Sequence, residues 1–265
     1  TLRTVPNWLS ISLERSVLMK QGLHPIEWFE TRLHRLSERS LFYSLMRCTH
    51  CWSSMDPVIL SYHDSLIRRS DLSLLNPPNW LNDHIIAFAF EYFAAEQYKE
   101  LSDRACFISP EVTQLIKCMA SQDELAIFLE PLALAQKSLV FLAVNDNSVQ
   151  AAGGSHWSLL CYNRDRNCFS HYDSCSNMNE SHARKIAKKL QHFLGTKSEV
   201  PFIEDLSPVQ KNSYDCGMYV MCTTEALCEQ YLRKDHRPPI VVVTPVYITQ
   251  KRVSWKKLIE QLSKK

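Results

Sequence analysis

"SHWSLLCYNRDRNCFSHYDS", Ser155 to Ser174, is the stretch on which the fold turns. Two apolar runs, 155–163 and 168–174, flank the turn residues "NRDRN". Short runs bounded by Asn and Asp at this distance read as the paired strands of a hairpin. In a hairpin the ends near the turn meet, and so do the far ends. His156 starts one strand and Asp173 ends the other, so both lie at the far end. There a carboxylate can accept from an imidazole, fixing its tautomer and stabilising the imidazolium. A lone histidine at a strand end is more often a satisfied structural group, and a lone Asp a turn former. The matching ends are what set this pair apart.

Working outward, "KSLVFLAVND" (137–146) is a further β run, and "SEVPFIED" (198–205) another. Pro77-Pro78 breaks the chain before "WLNDHIIAFAFEYF". Asn82 or Asp83 can cap a helix there, with Ile85, Phe88, Ala89, Tyr92 and Phe93 at helical spacing. Helices are expected around 109–119 and 121–129, over 180–195 with Gly195 at the end, and from Gly217 to about Leu232. The last fifteen residues, "KRVSWKKLIEQLSKK", read as a surface helix. Helices, then a mostly contiguous β block, then helices make an α+β plan.

The stretch "QKNSYDCGMYVMC" (210–222) ends a polar turn and opens a helix, which places Cys216 at a helix N-terminus. Unpaired N–H groups and the helix dipole favour an anion there, so a thiolate becomes a usable nucleophile. Gly217 removes bulk beside the sulfur, where a substrate carbonyl would approach. The competing explanation is a small core residue, the reading given to Cys222 and Cys228. A cysteine nucleophile needs a base and a group that orients the base, and His156 and Asp173 fit those needs. Gln210, six residues before Cys216, could donate its amide to an oxyanion beside the Cys216 N–H. Taken alone it is an ordinary loop glutamine.

The chain has 265 residues and a net charge of +2, enough for one large domain with an appendage. Residues 1–54 carry seven Lys/Arg and four Glu, a net of +3, and the remainder is close to neutral. A boundary is placed at Met55. It separates an N-terminal extension of unknown role, 1–54, from a main domain, 55–265. The basic run Arg32–Arg47 is plausible as a helix with a solvated face, so no nucleic-acid or membrane partner is expected. No stretch approaches the ~18 apolar residues of a membrane span, and no signal peptide is evident. The first residue is Thr1, so the chain is read as incomplete or processed. Ten cysteines in a chain this long are expected to be reduced thiols of an intracellular protein, in cytoplasm or nucleus. Cys48 and Cys51 form a CxxC around His50, but no second ligand pair lies nearby, so no metal is expected.

Four motifs in order, "WLND" (80–83), "GGSHWSLL" (153–160), "HYDS" (171–174) and "PVQKNSYDCGMYV" (208–220), resemble the Ulp/sentrin-specific cysteine proteases, which cleave ubiquitin-like modifiers. The resemblance runs from Met55 to Lys265. Its "MDPV" start and the texture of residues 56–93 are similar to the branch that acts on the neddylation modifier. It implies a papain-like fold in a permuted chain order, His–Asp–Cys, with a central, mostly antiparallel sheet flanked by helices. It implies a triad of Cys216, His156 and Asp173, with Gln210 in the oxyanion hole. Trp80 and Trp157 would wall a narrow channel for the modifier's Gly-Gly tail, with Asp83 as a further contact that a helix cap explains equally well. The loop "NDNSVQAAGG" (145–154) would be mobile and close over that tail. The implied partner is the neddylation modifier. The implied reactions are maturation of its precursor and its removal from lysines of conjugates such as cullins, by a monomer without cofactor. A SUMO-directed protease, an acyltransferase on the same core, and a catalytically dead modifier-binding protein are the alternatives. Residues 1–54 have no counterpart in the family pattern.

Overall fold

The structure, a computed structural model, describes residues 56–149, 153–233 and 237–264. The basic run 32–47 and the Cys48–Cys51 pair fall outside the described residues. A small antiparallel hairpin, β1 (Val58–Tyr62) and β2 (Ser65–Arg68), leads into the short helix α1 (Arg69–Ser73). Helix α2 (Asp83–Tyr92) follows, and Asn82 is its cap: its side-chain oxygen accepts from the Ile85 N–H at 3.2 Å. Asp83 is therefore the first residue inside the helix. Ser109 and Ser121 cap α3 (Pro110–Cys118) and α4 (Gln122–Leu129) in the same way, each accepting from the N–H three residues on.

Five strands lie side by side in chain order: β3 (Ala105–Ile108), β4 (Leu139–Asn145), β5 (Trp157–Asn163), β6 (Cys168–Tyr172) and β7 (Phe202–Glu204). β5 and β6 form the hairpin, with Asn163 opposite Cys168 and Leu159 opposite Tyr172. β4 and β5 are also antiparallel, whereas β3–β4 and β6–β7 are parallel. The α+β plan holds, and the sheet itself is mixed, antiparallel at its centre and parallel at both edges. The cause is connectivity. A parallel neighbour requires a crossover of a dozen or more residues. Helices α3 and α4 supply one between β3 and β4, and α5 (Glu180–Leu190) supplies the other between β6 and β7.

All seven residues of β4 are buried, because the sheet is covered on both faces. Leu139, Phe141 and Ala143 point into one core, together with α2, α6 (Cys216–Arg233) and the C-terminal helix. Val140, Leu142 and Val144 point into the other, with Ile116 of α3 and Ala183, Ile186 and Leu190 of α5. After α6 comes the short α7 (Pro239–Val242), and then α8 (Pro245–Leu262), capped by the Thr244 hydroxyl. The expectation of a surface helix at the C-terminus is corrected. Ile248, Arg252, Trp255 and Ile259 recur at four- and three-residue spacing and are buried. The Trp255 ring meets Phe88 of α2 and Phe93 edge-on, with centroids 6.1 and 5.5 Å away. The lysines at 251, 256 and 257 mask this narrow stripe in the sequence.

Candidate active site

The polar turn before α6 is built by one side chain. Asn212 Oδ1 accepts from the backbone N–H groups of Tyr214 (3.1 Å) and Asp215 (3.0 Å), and the Tyr219 N–H reaches back to the Asp215 carbonyl at 3.0 Å. Cys216 is thus the first residue of α6, where the helix's N–H groups are still unpaired. It is buried, with 3% of its surface exposed, and lines a small cavity with Trp157, Ser174 and Pro208. Cys222 and Cys228 lie deeper in the same helix, and burial pushes both thiols well up, which leaves them inert packing groups. The eight described cysteines are free thiols.

His156 and Asp173 meet at the far end of the β5–β6 hairpin. His156 Nε2 lies 2.6 Å from Asp173 Oδ1, and both residues are buried. With Nε2 committed to the carboxylate, Nδ1 is the ring nitrogen left for Cys216, whose side chain is among the ring's electrostatic partners. Burial opposes a charge on His156, but the Asp173 and Cys216 hydrogen bonds outweigh it, and the imidazole is pushed up to about 9. Burial likewise works against the Asp173 carboxylate. Hydrogen bonds from His156 and from the Asn179 (2.9 Å) and Cys175 (2.8 Å) N–H groups nevertheless hold it below the usual range. The arrangement is a cysteine beside an imidazole whose charged form is favoured, backed by a carboxylate held towards its ionised form.

Gln210 is held by the chain just after the Asp. Its N–H donates to the Ser174 carbonyl at 3.1 Å, and its side-chain oxygen accepts from the Ser174 hydroxyl at 2.7 Å. The amide nitrogen therefore points away from Ser174, and one of its hydrogens reaches the Asn212 carbonyl at 2.6 Å. Trp157 is partly buried, and its indole N–H donates to the Leu81 carbonyl at 3.1 Å, which ties β5 to the segment beside Trp80. Trp80 itself is 47% exposed. Asp83 accepts from the N–H of His84 at 3.1 Å, within the first turn of α2.

Gly217 has a different purpose from the one expected of it. A Cβ there would sit 3.0 Å from Leu81 Cβ and 3.4 Å from Ile86 Cδ1. It lets α6 approach Leu81, just before α2, and Ile86 within that helix, and these two side chains fill the space it leaves. Gly154 is required by its backbone: φ is +94°, and a Cβ would fall 1.9 Å from Asn145 Oδ1. Of the loop expected to close over a substrate tail, residues 150–152 lie outside the described residues. Its described flanks are tied down. Gln114 donates to the Asn147 and Val149 carbonyls, and Asp146 accepts from the N–H groups of Ser155 and His156.

The sequence reading missed Asn179. Its N–H holds Asp173, and its side-chain nitrogen donates to the Val144 (3.1 Å) and His156 (3.4 Å) carbonyls, so one buried residue braces both ends of the His–Asp pair. The polar stretch "SCSNMNES" contains several candidates, and nothing in it singles out Asn179. Among the described residues no group of three or more His, Cys, Asp or Glu could hold a metal ion. No described helix is long and apolar enough to cross a membrane.

Residues 79–260 match the Ulp1 protease family, C-terminal catalytic domain. The chain is 61% identical over 212 residues to Sentrin-specific protease 8 of Rattus norvegicus, covering 80% of this chain and 98% of the relative. It is 37% identical over 182 residues to NEDD8-specific protease 1 of Arabidopsis thaliana, covering 68% of this chain and 79% of that one. The fold matches the C-terminal Ulp1 protease domain solved in complex with Smt3, the yeast ortholog of SUMO. The TM-score is 0.61 at 21% identity, over 80% of this chain and 91% of that one. The chain belongs to the Ulp1 protease family and is a cysteine protease of ubiquitin-like modifiers.

Proposed function

We propose that this protease removes and matures the modifier NEDD8, with Cys216 as nucleophile, His156 as general acid and base, Asp173 as its orienting carboxylate and Gln210 as an oxyanion donor. The observation that carries the residue roles is the buried 2.6 Å contact between His156 and Asp173 beside a cysteine at the start of α6. The modifier preference rests on the names of the relatives, Sentrin-specific protease 8 and NEDD8-specific protease 1.

In this reading the thiolate of Cys216 attacks the carbonyl of the modifier's last glycine. Charge developing on that oxygen is met by the Cys216 N–H at the helix start and by the free amide hydrogen of Gln210, which Ser174 holds in orientation. The His156 imidazolium gives its proton to the leaving amine, either a lysine ε-amine or the α-amine of a precursor tail. The neutral imidazole then takes a proton from water, which hydrolyses the thioester and frees the thiol. Trp80 and Trp157 border the tail, where two indoles admit residues without side chains, and Asp83 lies at the same rim. The enzyme acts as a monomer inside the cell, without nucleic acid or membrane.

The test uses ubiquitin, SUMO and NEDD8, each carrying a C-terminal electrophile. NEDD8 is expected to label Cys216 in preference to the other two. Preferential labelling by SUMO overturns the modifier assignment and leaves the protease intact. Labelling at another cysteine overturns the assignment of the nucleophile.

A further inference from the structure

One buried cation lies outside the reacting groups yet touches the segments on both sides of them. Arg252 projects from α8 and is 2% exposed. Its Nε–H donates to Asp215 Oδ1 at 2.6 Å, and Nη2 donates to the Tyr214 carbonyl at 3.1 Å. Both acceptors belong to the turn that delivers Cys216. The same guanidinium donates from Nη1 to the Leu74 carbonyl at 2.9 Å and from Nη2 to the Asn79 carbonyl at 3.0 Å. These two carbonyls bracket the loop that leads into Trp80 and Leu81. Asp215 is in turn fixed by Asn212 Nδ2 at 2.7 Å, and its carbonyl starts the α6 hydrogen-bond ladder.

We infer that Arg252 is a positioning residue that sets the spacing between the Cys216 turn and the Trp80 side of the cleft. The inference rests on the proposed roles of Cys216 and Trp80. A planar guanidinium presents five donors in a fixed fork and can hold four acceptors on two segments at once. An ammonium is a point donor on a flexible stem and does not reproduce that span. Other groups could hold either loop singly. Arg252 makes the placement of one depend on the other, because both are referred to the same rigid plane.

The arrangement separates two effects. Asp215→Asn keeps the Leu74 and Asn79 contacts but weakens the hold on the residue before the nucleophile. It is expected to lower kcat about tenfold to a hundredfold, with KM within about twofold, because a small misplacement of reacting atoms is felt in the chemical step. Asp215→Glu, which restores the charge, is expected to recover most of that loss. Arg252→Lys keeps a charge for Asp215 and loses the fork to the Tyr214, Leu74 and Asn79 carbonyls, so both segments lose their common reference. It is expected to raise KM about fivefold or more and to lower kcat about tenfold as well. The measurement is steady-state hydrolysis of NEDD8 bearing a C-terminal fluorogenic amide, well below the melting temperature of each variant.

A kcat loss with unchanged KM in Asp215→Asn, joined by losses in both kcat and KM in Arg252→Lys, supports the inference. An Arg252→Lys variant that changes only one of kcat and KM, or lower melting temperatures with unchanged kcat and KM, overturns it and leaves Arg252 without a coupling role. If Arg252→Lys does not fold, equal kcat for Asp215→Asn and Asp215→Glu overturns it instead. Cys216→Ala is the control: residual cleavage there means the site reading has failed, whereas an inactive Cys216→Ala leaves any failure with Arg252.

Discussion

Nε2 of His156 stands 2.6 Å from Oδ1 of Asp173, in a buried corner where the carboxylate also takes two backbone N–H groups. The carboxylate is therefore held ionised and in one orientation, and it dictates which ring nitrogen faces Cys216. Asp173→Asn should keep the volume but supply a donor as readily as an acceptor. We expect kcat to fall about 10²- to 10⁴-fold, as for an orienting carboxylate in a triad. Hydrolysis of a NEDD8 fluorogenic amide measures it, and a loss under threefold would contradict the role given to Asp173.

Removing the nucleophile should separate chemistry from binding. Cys216→Ala is expected to abolish cleavage while leaving NEDD8 affinity unchanged within a few-fold, since one buried sulfur contributes little contact area. Calorimetric titration with NEDD8 and a cleavage assay read the two halves. Release of free modifier by this variant would falsify the mechanism.

The imidazole beside the thiol predicts reactivity without any modifier. In His156→Ala Cys216 loses its imidazole partner, so iodoacetamide alkylation at pH 7 should slow about tenfold or more. Mass spectrometry of the peptide containing Cys216 follows that site apart from the partly exposed Cys175 and Cys118. Equal alkylation rates in the two proteins would argue against a Cys–His pair.

Linkage gives the pair a pH signature in stability. His156 is pushed up to about 9, above its unfolded value of about 6.5. Its contribution is therefore complete below about pH 6.5 and is lost as pH rises through about 9. Asp173 is held low, so its share is present above about pH 4 and is lost only in acid. The gap in urea midpoint between the wild type and His156→Gln should be largest near pH 5–6.5 and shrink towards pH 9–10. A gap that stays constant across that range is the contrary result.

Close helix packing predicts a stability defect at Gly217. The added methyl of Gly217→Ala meets Leu81 at 3.0 Å, inside a filled core. We expect a loss of about 1–3 kcal/mol in urea unfolding, the usual cost of overpacking. Leu81 also carries the carbonyl that holds Trp157, so a shift there should raise KM for the modifier as well.

Local patterns carried much of the plan. Asn82 or Asp83 marked the start of α2 because a cap is a contact over three residues, and Asn82 is the one that makes it. The β5–β6 hairpin was legible because its turn brings together strands that are neighbours in the chain, and that put His156 and Asp173 at one end. Strand β3 was not legible, since four residues are too few to show a period, and it exists by pairing with β4 across two helices. The parallel edges escaped for the same reason.

By itself the sequence determined the kinds of elements, the end of the hairpin where His and Asp meet, and the helix start that holds Cys216. Each depends on residues close in the chain or on the alternation of apolar and polar positions. Tertiary structure alone decided that Asn179 braces the His–Asp pair, that Gly217 makes room for Leu81, and that Arg252 joins the Cys216 turn to the Trp80 loop. Arg252 and Leu74 are 178 positions apart, and no local pattern reports a contact over that distance. Periodicity tells which face of a helix is buried, and only the packed chain tells what that face meets.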